Sequence, residues 1–153
     1  RKGCDERRDC AKMASVMRRL PLARWALLTL PALAACGDAT DPGLDPTFSA
    51  IQEAVFDRRC SQPICHSQDS HQGGLVLFPG VAYEQLVGVD AVMAPGRKRV
   101  VPGDPDASFL LDKVRPGLPA DQGGVMPMGS ATGLPADEVA ALREWIRAGA
   151  KND

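Results

Sequence analysis

Cys60, Cys65 and His66 lie within seven residues of each other in the stretch RRCSQPICHSQ (58–68). Three chemistries suit that set. The first is covalent haem: two thioethers hold the porphyrin, and the histidine directly after the second cysteine gives its nitrogen to iron. The usual spacing is C-x-x-C-H. Here it is C-x-x-x-x-C-H, two residues wider, with Pro63 inside the loop to suit a local bulge. The second is zinc, for which Cys60, Cys65, His66 and His71 are ligands of the right types, although adjacent Cys65 and His66 make joint ligation awkward. The third is a short Cys60–Cys65 disulfide beside an ordinary surface histidine.

A haem iron in an electron carrier commonly takes a thioether as its sixth ligand. GGVMPMGS (123–130) offers Met126, followed by Pro127, with Met128 as the close alternative. Met93, in AVMAPG, is a weaker one. A methionine is most often core filler, but filler is less expected in a Gly- and Pro-rich loop without a helical stripe. No serine–histidine–carboxylate set, phosphate loop or recognisable carboxylate pair is present, so no catalytic residues are assigned and an electron carrier is expected rather than an enzyme.

The elements that must position these residues are short. Thr47 to Cys60 reads as a helix: Phe48, Ile51, Val55 and Phe56 recur on one face and deliver the chain into the cysteine loop. A one- or two-turn helix is predicted through Tyr83, Leu86 and Val87. Another is predicted after Asp104, with Asp104 as its cap, Pro105 at the first helical position, and Phe109, Leu110 and Val114 facing inward. Residues 115–136 have no helical period and read as a long ordered loop. PADEVAALREWIRAGA (135–150) is the clearest helix, with Asp137 and Glu138 in its first turn, Arg147 near its end, and Val139, Leu142 and Ile146 on one face. Thirteen prolines and fifteen glycines fit many ordered turns between such elements. With 153 residues, one compact domain is expected.

The N-terminal part differs in kind. Residues 1–35 carry eight basic and three acidic groups, whereas residues 36–153 carry ten and sixteen. The acidic second part excludes nucleic acid as a partner. MRRLPLARWALLTLPALAAC (17–36) has a basic start, an apolar run and small residues before Cys36, the layout of an export signal. Its LAAC ending resembles the lipobox of bacterial lipoproteins, which implies lipidation of Cys36. Gly37 after the cysteine implies passage to the outer membrane, facing the periplasm or the cell surface. Residues 1–16 fit no signal and read as an extension upstream of a start at Met17. Residues 37–46, acidic and rich in turn formers, read as a flexible tether, and 47–152 as the domain. Export to an oxidising compartment then leaves Cys60 and Cys65 as the one pair to be either disulfide-bonded or occupied.

The order CSQPICH, GGLVL, AYEQLV, RVVPGDPDASFLLDKV, GVMPMG and ADEVAALREWIRAGAKND resembles class-I-like cytochrome c domains of bacterial surface lipoproteins. The resemblance spans about residues 47 to 152 and implies an all-α, cytochrome c-like fold with long ordered loops. It implies one covalent haem c on Cys60 and Cys65, with His66 proximal and Met126 distal. It also implies a crossing of the first and last helices, with Phe48, Val55 and Phe56 against Leu142, Trp145 and Ile146. Leu75, Leu77, Tyr83, Leu86, Phe109 and Trp145 become candidates for the haem wall. Redox proteins and the membrane, through the lipid, are the implied partners, with no small-molecule substrate. GRKRV (96–100) reads as a solvated loop, or alternatively as a contact for a haem propionate or an acidic redox partner. A haem-free, disulfide-stapled binding module with the same fold is the competing expectation.

Overall fold

The computed structural model describes residues 43–153. The expected upstream extension, export signal and lipidated Cys36, and most of the expected tether, lie outside them. The helices are α1 (Phe48–Ile51), continued by a π-helical segment over Gln52–Cys60, α2 (Ala82–Leu86), α3 (Phe109–Lys113) and α4 (Ala136–Arg147). Between them run turns and isolated β-bridges, such as Val87 with Val100 and Lys98 with Ser108. The described residues are thus partly helical with few strand pairings. Among them no helix is long and apolar enough to cross a membrane.

The predicted first helix forms, but only its first turn is α-helical. From Gln52 onward the turn widens, and at its end Phe56 O accepts from Ser61 N at 2.8 Å, an i→i+5 bond. All four residues of the predicted apolar face are buried. Thr47 Oγ1 caps α1 by accepting from Ala50 N. The next orphan donors go to the chain's other end: Phe48 N donates to Asp153 Oδ1 and Ser49 N to Asp153 O, each at 2.9 Å.

α4 lies across this start. The Phe48 and Trp145 ring centroids are 5.4 Å apart, and Tyr83 meets Phe48 edge-on at 5.2 Å. Trp145 is fully buried, and its indole N–H reaches Lys151 O at 2.7 Å once the chain turns back after Gly149. Arg59 donates through Nε and Nη2 to Glu138 Oε1 at 3.0 and 2.8 Å, joining the end of the π-helical segment to the first turn of α4.

The helix expected at Asp104 starts four residues later. Asp104 Oδ1 accepts from Asp106 N and Ala107 N, so it caps a turn. Buried Ser108 precedes the helix, and its hydroxyl donates to Asp104 O at 2.7 Å and accepts from Val101 N at 2.9 Å. The long loop 115–135 is tied back to α3: Lys113 Nζ donates to Gln122 O and Gly124 O, and Met126 N donates to Lys113 O at 2.7 Å. Where this loop rejoins the core, Gly133 (φ +79°) passes so close that an added Cβ would lie 2.0 Å from Val114 O.

Candidate functional site: a cleft beside His66

The cysteine loop closes on itself. Cys60 O accepts from His66 N at 3.0 Å, Gln62 O accepts from Cys65 N at 2.8 Å, and the Ser67 hydroxyl donates to Pro63 O. His66 O then accepts from Leu77 N at 2.8 Å, laying the loop along residues 75–77. These bonds fix the direction of the imidazole. Its Nδ1 lies 3.3 Å from Leu75 O. A carbonyl can only accept, so the contact is a hydrogen bond in the tautomer that carries the proton on Nδ1, and in that tautomer Nε2 offers its lone pair.

The His66 side chain opens into a cleft lined by Leu75, Leu86, Ala91, Phe109 and Leu110, with Val92 and Met93 at its rim. Two cations complete the wall. Arg99 is buried and donates to Gln85 O at 2.7 Å and Gly74 O at 3.0 Å. Lys113 spends its donors on loop carbonyls, as above. Among the described residues neither is paired with a carboxylate, and burial lowers the pKa of both. Burial also lowers His66. The carbonyls of Leu75 and Gln72 oppose that shift, and the charges of Arg99 and Lys113 add to it. The imidazole is therefore held neutral, the form that ligates a metal.

Cys60 and Cys65 are half-buried thiols. Burial is the main cause that pushes Cys60 up to about 12. Cys65 and Glu138 add to it, and Arg59 partly offsets it. Glu138 contributes a buried carboxylate oxygen, Oε2, that has no partner among the described residues.

Three of the six expected wall residues, Leu75, Leu86 and Phe109, line the cleft. Leu77 and Trp145 instead fill the core, and Tyr83 turns away to donate to Ala150 O at 2.9 Å. Of the methionines, Met93 is on the cleft wall. Met126 is half-buried in the strap bound to Lys113, and Met128 is exposed. The Met93 methyl would lie 3.5 Å from a Cβ placed on Gly123, so the rim and the start of the strap are adjacent. Among the described residues no three His, Cys, Asp or Glu side chains converge as a metal site, so the zinc set with His71 is not assembled. Arg99 is the main correction to the sequence reading: it is no part of a solvated loop. Nothing local marks it, since its partners lie 14 and 25 residues away in the chain.

A haem tests this site in two ways. The donor set fits: a neutral imidazole oriented through Nδ1, apolar walls, and two unpaired cations suited to propionates. The width does not. The cleft holds about 80 Å³, below the range of roughly 300–1,000 Å³ usual for organic ligands, so the half-exposed rim at Val92 and Met93 must move outward to admit one. Comparison of the chain with protein-family models, with curated proteins and with solved structures finds no match to any of them.

Proposed function

We propose that the chain is a membrane-tethered monohaem c-type cytochrome that passes single electrons. The observation that carries this reading is His66: a half-buried imidazole, its pKa lowered by burial, whose Nδ1 lies 3.3 Å from Leu75 O so that Nε2 is available to iron. Haem c, when attached, supplies the one-electron chemistry. Cys60 and Cys65 anchor it through thioethers. Leu75, Leu86 and Phe109 exclude water from one face, and Arg99 with Lys113 offsets propionate charge. Met126 is the distal ligand in this reading, with Met128 and the cleft-wall residue Met93 as alternatives. The domain is then cytochrome c-like and all-α in class. Cys36 carries the lipid, and the domain faces the periplasm or the cell surface from the outer membrane.

Voltammetry of the exported protein tests this function. A reversible one-electron wave that His66→Gly abolishes is expected, and a protein without any such wave contradicts it. The same protein sorts the methionines: the substitution among Met126→Leu, Met128→Leu and Met93→Leu that changes the reduced spectrum identifies the distal ligand, and Met126→Leu is expected to do so.

The narrow cleft favours a second reading. A Cys60–Cys65 disulfide would staple the loop already closed by the His66 N to Cys60 O bond, giving a haem-free binding module.

A further inference from the structure

A second, larger cleft lies on the far side of Phe109. It holds about 470 Å³ and is lined by Arg97, Asp112, Arg115, Gln122 and the apolar turn Pro116–Pro119. Phe109 and α3 form the party wall between the two clefts. The Arg97 guanidinium stacks 5.4 Å from the Phe109 ring centroid, and Lys113 of the His66 cleft lies 6.0 Å from it. Asp112 and Lys113, neighbours on α3, line one cleft each. The region 36–153 is acidic overall, yet four of its ten cations, Arg97, Arg99, Lys113 and Arg115, gather around this wall.

The arrangement inside the larger cleft reads as a carboxylate receptor. Arg97 Nη1 donates to Asp112 Oδ2 and Arg115 Nη2 to Asp112 Oδ1, both at 2.7 Å. Arg115 Nε is fixed by Leu111 O, and Arg97 Nη2 leans on Asp106 O at 3.5 Å. One resident carboxylate thus serves two guanidiniums, which leaves net positive charge in the cleft. Among the described residues, Arg97 Nε and Arg115 Nη1 form no hydrogen bond, and Gln122 lines the same cleft. Planar guanidiniums that already hold a carboxylate in paired single bonds present the geometry that a second carboxylate needs. The proline and leucine floor suits a carbon skeleton better than a bare inorganic anion, and the volume falls within the range of small-ligand sites.

We propose that this cleft binds a small organic carboxylate, held by Arg97 and Arg115 with Gln122 and seated on Pro116, Leu118 and Pro119. The proposal stands apart from the haem reading, because none of these groups belongs to the His66 cleft. Its test therefore uses the exported chain as purified, with or without colour. Succinate is titrated at constant ionic strength, with sulfate as the control anion, and the arginine side-chain N–H and Gln122 amide signals are followed by NMR. The expected result is a saturable shift with a Kd of about 1 mM or tighter. Arg97→Gln and Arg115→Gln should each weaken binding by about tenfold or more. Arg143→Gln, which removes the ion pair with Asp106 outside the cleft, should leave it unchanged. Either cleft variant suffices if the other fails to fold. No saturable shift, an equal shift with sulfate, or unchanged affinity in a folded cleft variant overturns the proposal.

Discussion

The helix crossing and the His66 cleft are built from the same short elements but compensated differently. At the crossing most strong groups are answered within the domain, with buried Gln52 Oε1 and Glu138 Oε2 as the exceptions among the described residues. Phe48 and Trp145 pack on each other, the free amides of α1 end on Asp153, and the Trp145 N–H ends on Lys151 O. At the cleft, the His66 ring meets only backbone carbonyls, Arg99 and Lys113 hold charge without a carboxylate among the described residues, and the rim exposes Val92 and Met93. Both cations are held by backbone carbonyls alone, so the cleft keeps net positive charge. The contrast sets a part of the domain held by its own packing against a part whose charge the proposed haem would offset.

That contrast can be broken first at the crossing. Trp145→Ala removes the largest fully buried side chain and should cost about 3–5 kcal/mol in denaturant unfolding. A loss below about 1 kcal/mol would show that the crossing does not hold the domain. Gly133→Ala tests the return of the strap. With Val114 O in the way and φ positive, a loss of about 1–3 kcal/mol is expected from the same measurement.

The cleft should answer to pH where the crossing does not. The folded pKa of His66 lies below its ordinary 6.5, so the unfolded chain binds the extra proton first. Stability in the haem-free protein is therefore full above that value and falls as pH drops below it. His66→Asn should flatten the slope between about pH 5 and 7. Asp112 does not confuse the result. Burial would raise it, but Arg97 and Arg115 hold it below 3.8, so its contribution is lost only at more acid pH. An unchanged slope in His66→Asn would show that the fold does not lower the His66 pKa.

The smallest expected effect is kinetic. The Cys60 thiol, pushed up to about 12, stays protonated in the folded domain and should resist alkylation at about pH 8 until denaturant is added. Equal labelling with and without denaturant would contradict its burial. If the resistance holds, any bond to Cys60, thioether or disulfide, must form before the domain closes.

Much of the crossing was legible in the sequence because its signals are local. The spacing of Phe48, Ile51, Val55 and Phe56, and of Leu142 and Ile146, reports one helix face whatever lies opposite. The widening after Gln52 was not legible, since an i→i+5 turn buries the same residues. The cleft was half legible. Leu75, Leu86 and Phe109 were expected on its wall, but whether Tyr83 faced the cleft or the core was set by Ala150 O, 67 residues away. Arg99 looked solvated beside Arg97 and Lys98. Its burial follows from the carbonyls of Gly74 and Gln85, which only the folded loops bring together.

Whether the widened loop carries haem decides between the electron carrier and the haem-free module. Produced in a host with haem c maturation machinery, the protein is expected to show a Soret band that survives denaturation and acid–acetone extraction, with Cys60 and Cys65 both blocked to thiol reagents by haem attachment. A colourless protein in which mass spectrometry finds a Cys60–Cys65 disulfide would contradict it.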